Sequence, residues 1–240
     1  MTVRFPRDAV GAIVLDIEGT TTPIAFVQDA LFPFARRHLR EYLIEHGGSP
    51  EVRDVIRRLR EEWARDAAPP PWSDESVAGY VEWLMDRDRK SPGLKLLQGY
   101  IWEDGYRSGA LRGEVYADVG PAIERWRASG IVVAIYSSGS VLAQQLLFAH
   151  TPEGDLTPLL DRFFDAEIGA KTSPDSYRRI AAALQCPAPR LLFVSDARQE
   201  LDAAHQAGCE VLLCARPGNP AQSAPPGLDL IHGFDEIGVG

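Results

Sequence analysis

Ala12-Ile13-Val14-Leu15-Asp16-Ile17-Glu18-Gly19-Thr20-Thr21 passes within a few residues from an unbroken apolar run to two carboxylates and a glycine turn. An apolar run without polar alternation is the pattern of a strand covered on both faces, which belongs to a parallel sheet flanked by helices. Gly19 then lets the chain bend sharply out of the sheet. Ile131 to Tyr136, Leu191 to Val194 and Val211 to Cys214 share this texture. Between and around them lie helical patterns with apolar spacing near three and four: Val119 to Ser129 closed by Gly130, Ser140 to His150, Pro174 to Gln185, and Arg198 to Ala207 closed by Gly208. Strand and helix alternate from about residue 114 onward, which predicts an α/β domain with a parallel sheet.

The stretch from Pro23 to about Gly113 has helix patterns and no convincing strand. Phe26 to His46 reads as one helix with an early Pro33, and Ser49 with Pro50 as the cap and first-turn proline of a second helix up to Asp66. The consecutive prolines between Ala67 and Trp72 must break the chain. Ser73 can cap a third helix to about Arg89, and a fourth starts near Pro92. The expected organisation is a core segment 1–22, a helical insertion 23–113 and a second core segment 114–240.

At 240 residues, 45% hydrophobic and 25% charged, the composition is that of a soluble globular protein. A net charge of −9 disfavours nucleic acid or an anionic membrane as partner. Cys186, Cys209 and Cys214 are odd in number and form no CxxC pair, so neither a disulfide framework nor a zinc site is indicated, and a cytoplasmic location is expected. The apolar run Ala9 to Leu15 is too brief for a signal segment or a membrane span.

Chemistry is expected at the carboxyl ends of the strands, where ligands bind in open parallel sheets. Asp16 and Glu18, two apart at a strand end, point the same way, and their repulsion calls for a divalent cation or a held proton. A turn cap is the competing reading. Ser137 and Ser138 precede a helix, where unpaired N–H groups and the helix dipole suit a phosphate as readily as an ordinary cap. Lys171, in Gly169-Ala170-Lys171-Thr172-Ser173-Pro174, offers either a point charge to phosphate or a solvated loop lysine. Asp196, with Glu200 and Asp202 beyond it, suits Mg²⁺ or simply decorates a helix start.

The chain order Asp16, Ser137, Lys171, Asp196 resembles the haloacid dehalogenase superfamily of phosphotransferases. The segments Leu15-Asp16-Ile17-Glu18-Gly19-Thr20-Thr21-Thr22-Pro23-Ile24, Gln98-Gly99-Tyr100-Ile101-Trp102-Glu103-Asp104-Gly105-Tyr106, Tyr136-Ser137-Ser138-Gly139-Ser140 and Phe193-Val194-Ser195-Asp196 are similar to the enolase-phosphatases of methionine salvage, also called acireductone synthases. The second acid departs from the superfamily's usual aspartate: it is Glu18. The resemblance implies a Rossmann-like core with an inserted all-helical cap. It further implies a Mg²⁺-dependent monomer that turns 2,3-diketo-5-methylthiopentyl-1-phosphate, a small phosphorylated diketone, into an enol phosphate and then into acireductone plus phosphate.

On that resemblance Asp16 is the nucleophile, Glu18 the general acid/base, Ser137, Ser138 and Lys171 the substrate-binding groups, and Asp16, Glu18 and Asp196 the metal set. Lys95, Trp102 and Glu103 are candidates for substrate contact from the insertion; for Tyr100, Trp102 and Tyr106, packing within it is the competing role. His205, on a helix near Asp196, is a further residue to locate. The rivals are a phosphatase of the same superfamily for another small ester, and a response-regulator-like phospho-switch. P-loop and dinucleotide motifs are absent.

Overall fold

The four apolar runs form the middle of a six-stranded parallel sheet, in a computed structural model that describes residues 2–6, 8–72, 77–220 and 223–239. In chain order the elements are β1 (Val3–Phe5), β2 (Ala12–Leu15), α1 (Phe32–His46), α2 (Pro50–Trp63), α3 (Val77–Asp86), α4 (Pro92–Ser108), α5 (Val119–Ala128), β3 (Val132–Tyr136) and α6 (Val141–Ala149). There follow β4 (Arg162–Phe164), α7 (Pro174–Ala183), β5 (Leu191–Ser195), α8 (Arg198–Gln206), β6 (Glu210–Cys214), β7 (Leu230–Ile231) and β8 (Ile237–Val239). The sheet order is β4-β3-β2-β5-β6-β7, and β1 pairs with β8 apart from it. The short strands β1, β4, β7 and β8 are additions to the sequence expectation.

This order places β2 at the point where the topology reverses. From β2 the chain proceeds outward through β3 and β4, then crosses to β5 on the other side. Leu15 is in register with Ile135 on one flank and Val194 on the other, and the Asp16 N–H donates to the Val194 carbonyl at 3.0 Å. A reversal of this kind opens a crevice beyond the carboxyl ends of the strands.

Ala12 and Val14 share one buried cluster with Tyr136, Phe193, Tyr177 and Ile180 of α7 and Leu201 of α8. Ile13 and Leu15 point to the opposite face and are equally buried, which is why the run lacks polar alternation. Each such side chain contributes about 1.5–3 kcal/mol relative to exposure.

Contacts divide the chain into one unit of residues 1–27 with 112–240 and a second of 28–111. The expected boundaries, 22/23 and 113/114, therefore shift. Phe26 and Val27 are buried, and the Gly113 N–H donates to the His150 carbonyl at 2.9 Å, which ties it beside α6.

The single helix expected from Phe26 to His46 is a π-helical turn, Phe26–Leu31, followed by α1. Pro33 has no N–H for an i−4 partner, so it ends one helical register and sits in the first turn of the next. Ser49 accepts from the Val52 N–H at 3.2 Å as the cap of α2, which ends at Trp63 instead of Asp66. Ser73, the expected cap of the third helix, lies outside the described residues. That helix stops at Asp86 instead of Arg89, with Asp88 left-handed at φ 46°. Among the described residues no helix is long and apolar enough to cross a membrane.

Candidate active site

Asp16 leaves β2 with its carboxylate almost fully enclosed. Its Oδ1 accepts from the Ile17 N–H at 2.7 Å and pairs with Lys171 Nζ, while Ser195 Oγ lies 3.0 Å from Oδ2. Oδ1 thus carries two donors and Oδ2 one, which leaves acceptor capacity on Oδ2. The Asp16 carbonyl and the turn after it are fixed as well: Thr21 Oγ1 donates to that carbonyl at 3.0 Å.

Lys171 also meets Glu200 Oε2 at 2.6 Å, and Ser195 Oγ stands 3.1 Å from the same oxygen. The serine has one proton for two carboxylates, so it serves one at a time. Burial pulls the Lys171 ammonium toward neutrality, but Asp16 and Glu200 outweigh it and hold the group above its ordinary value. Burial and then Asp16 push the Glu200 carboxyl up, against Lys171.

Asp196 ends β5, and its N–H donates to Thr20 Oγ1 at 3.0 Å. Burial, then Asp16, Glu200 and Glu18, raise its carboxyl to about 7. Gly19 sits against this carboxylate with φ 76°, and a Cβ there would strike Asp196 Oδ2. Glycine is required on both counts.

The turn itself is clamped from segments far along the chain. Asn219 Nδ2 donates to the Gly19 carbonyl at 2.9 Å, Arg216 Nε to the Thr20 carbonyl at 2.8 Å, and the Tyr116 N–H to the Thr21 carbonyl at 3.0 Å. Arg216 is buried between the rings of Tyr116 and Phe234, each 4.4 Å away, and is paired with Asp118 at 2.7 Å.

Asp16, Lys171 and Asp196 are therefore brought into one electrostatic group, with Glu18 exposed but felt by Asp196. Ser137 lies at the same carboxyl edge, beyond β3. Its Oγ accepts from the Gly139 N–H at 3.2 Å, and neighbouring Ser138 is exposed. Glu200 was visible in the sequence only as one of several acids. Asp202, two residues on, points away from the cluster toward Arg198 and solvent. His205 is exposed in the last turn of α8.

In the second unit, Trp102 Nε1 donates to the Leu31 carbonyl at 2.8 Å, and Glu103 pairs with Arg107 at 2.6 Å. Both groups have partners within that unit. Tyr106 is buried in it, and Lys95 and Tyr100 are half-buried on α4.

Among the described residues no three Asp, Glu, His or Cys groups stand together as a ready metal cage. Of the expected set Asp16, Glu18 and Asp196, Asp16 pairs with Lys171 and Ser195, Glu18 is exposed, and the charges of both reach Asp196. The donor chemistry nevertheless fits a hard divalent cation. Asp16, Glu18 and Asp196 offer only oxygen, and burial, followed by the charges of Asp16, Glu200 and Glu18, raises the Asp196 carboxyl, so a cation there would meet acids that act on one another.

The haloacid dehalogenase-like hydrolase family matches residues 10–208. The chain is 47% identical over 234 residues to Enolase-phosphatase E1 of Synechococcus elongatus, covering 95% of this chain and 98% of that one. It is 47% identical over 226 residues to the protein of the same name from Sorangium cellulosum, covering 94% and 96%. The crystal structure of the UTR4 protein of Saccharomyces cerevisiae superposes with a TM-score of 0.80 at 34% identity, covering 94% of this chain and 99% of that one. CbbY of Rhodobacter sphaeroides in complex with phosphate, at 19% identity, TM-score 0.56 and coverage of 95% and 96%, shares the fold. With its nearly full-length matches and its acid at the switch point of the sheet, this chain belongs to the enolase-phosphatase family of the haloacid dehalogenase-like hydrolases.

Proposed function

We infer that this chain is a bifunctional enolase-phosphatase of methionine salvage, converting 2,3-diketo-5-methylthiopentyl-1-phosphate first to its enol phosphate and then to acireductone and phosphate. The observation that supports it best is the enclosed Asp16 carboxylate held by Lys171 and Ser195 at the switch point, in a chain 47% identical to an enolase-phosphatase along 95% of its length.

Asp16 attacks phosphorus in line and forms an aspartyl-phosphate, for which its fixed rotamer and the acceptor capacity of Oδ2 are suited. Lys171, fixed near the nucleophile, supplies positive charge to the transferring phosphoryl group, and Ser137 and Ser138 donate to its oxygens. Glu18, exposed two residues on, protonates the leaving enol oxygen and then deprotonates the water that hydrolyses the intermediate. The family works with a divalent metal. We assign Mg²⁺, with Asp16, Glu18 and Asp196 as the residues that would hold it, and when bound it supplies charge neutralisation for the phosphate and polarisation of the substrate carbonyl. The same reading takes the enzyme as a cytoplasmic monomer acting on a small phosphorylated diketone, with no nucleic acid or membrane partner.

The test is to incubate wild type and Asp16→Asn with the diketo phosphate and Mg²⁺ while following enol formation and phosphate release separately. Phosphate release should fall by about 10⁴-fold or more. Phosphate release by the variant within tenfold of wild type would remove the covalent step. Wild-type turnover of other phosphate esters, with no acireductone absorbance from the diketo phosphate, would replace this reading with another phosphatase of the superfamily.

A further inference from the structure

The loop that carries Lys171 contains no regular structure, yet successive carbonyls along it are each met by a side-chain donor. Arg179 Nη1 reaches the Ile168 carbonyl at 3.3 Å, Tyr136 OH the Gly169 carbonyl at 2.9 Å, Ser176 Oγ the Ala170 carbonyl at 2.7 Å, and Tyr177 OH the Lys171 carbonyl at 2.7 Å. The three hydroxyl donors belong to fully buried residues, on the last position of β3 and in the first turn of α7. Gly169, at φ 137°, lets the loop lie so close that a Cβ there would strike Ser176 Oγ. The rings are fixed too: Tyr177 packs on Tyr136 and Phe193 with centroids 5.7 and 5.0 Å apart, and Lys171 Nζ lies 5.8 Å from the Tyr136 ring centre.

We propose that Tyr136, Ser176 and Tyr177 are positioning residues for the phosphoryl-transfer step, a hydroxyl clamp that fixes the backbone from which Lys171 reaches Asp16. This rests on the reading of Lys171 as a phosphate-binding group. The physical argument is one of orphaned donors. If the loop moves away, the three buried hydroxyls lose these carbonyl acceptors, and only Tyr136 and Ser176 stand close enough to meet each other, so the loop has one well-defined position. A lysine on a mobile loop would lose both rotamer and backbone freedom on meeting phosphate, and the clamp removes the backbone part of that cost beforehand. None of the three hydroxyls touches the reacting groups: each is spent on a carbonyl. Their effect on rate must therefore pass through Lys171.

The test is a cycle between the hydroxyl-deleting variant Tyr136→Phe/Ser176→Ala/Tyr177→Phe and Lys171→Ala, with thermal melts to confirm folding. In the Lys171 background, loss of the hydroxyls should lower kcat/KM for the diketo phosphate about 10–100-fold, and in the Lys171→Ala background less than about twofold, because coupled groups are non-additive. Amide hydrogen exchange on the free full-length protein gives a readout without substrate, and residues 168–173 should exchange at least about tenfold faster in the hydroxyl-deleting variant. Equal fold losses in both backgrounds, or unchanged exchange across 168–173, would overturn the clamp. Wild type that fails to turn over the diketo phosphate would instead overturn the functional reading, and exchange would still decide the clamp.

Discussion

In the core, Lys171 meets Asp16 and Glu200 with side chains 12%, 7% and 17% exposed, whereas in the insertion Arg40 meets Glu82 at 2.8 Å with side chains 65% and 30% exposed. The partners are of the same chemical kind, but what surrounds them differs. In the insertion many pairs are local to one helix, such as Arg57 and Arg58 around Asp54, and both partners keep their water. They keep an amphipathic helix soluble and add little else. In the core each partner comes from a different segment and has given up water, so removing one leaves a buried charge without its counterion. A site for a phosphate dianion requires that second arrangement, in which fixed charges face the ligand without solvent screening.

The largest effect that would sharpen this contrast is at Lys171. Lys171→Met should lower kcat/KM for phosphate release about 10³-fold, because it removes the cation that balances Asp16 and Glu200. A loss under tenfold would mean the buried pairing matters no more than a surface one.

A smaller effect is expected from matched glycines. Gly19 and Gly109 both have φ 76°, but a Cβ on Gly19 would strike Asp196, while on Gly109 nothing lies within 4 Å. Gly109→Ala carries backbone strain alone, about 1 kcal/mol, while Gly19→Ala adds a steric clash for a total of about 2–3 kcal/mol. At roughly 2–4 °C per kcal/mol for a chain of this size, melting curves should separate the two variants by several degrees. Equal shifts would show that the carboxylate moves freely aside.

Titration of Asp196 comes next. Its carboxyl is raised to about 7, so the metal-free folded state holds a proton that the unfolded state releases near 3.8. Folded stability from this group is therefore present at low pH and lost as pH rises from about 4 through about 7. The metal-free melting temperature should rise as pH falls from 8 to 6. Mg²⁺ affinity by calorimetry should weaken up to about tenfold per unit below pH 7, since the proton and the cation compete for one carboxylate. Affinity independent of pH over that range would take Asp196 out of the metal set.

The smallest effect belongs to the insertion. Arg40→Ala and Glu82→Ala should each move the melting temperature by less than about 2 °C. A larger shift would break the distinction between the two regions.

The strands β2, β3, β5 and β6 were legible because being buried on both faces leaves an unbroken apolar run. At two or three residues, β4 and β7 are too short for any periodicity and exist only because a neighbouring strand offers its edge. Asp16, Lys171 and Asp196 could be singled out because each follows a strand or precedes a helix. Glu200 could not be separated from Asp202, since both are acids in one helix and only the phase of α8 against β5 turns the first toward Lys171. Arg216 and Asn219, which hold the turn after Asp16 from 196 and 200 residues away, gave no local signal.

By itself the sequence determined the α/β alternation, the helical insertion and the chemical types of the acting groups, because hydrophobic pattern, prolines and caps act over a few residues. Tertiary structure alone decided which carboxylate meets the lysine, which hydroxyls hold its loop and how far Asp196 is pushed toward neutrality. Those depend on dehydration and on distances between segments far apart in the chain, which exist only once the sheet has closed around them.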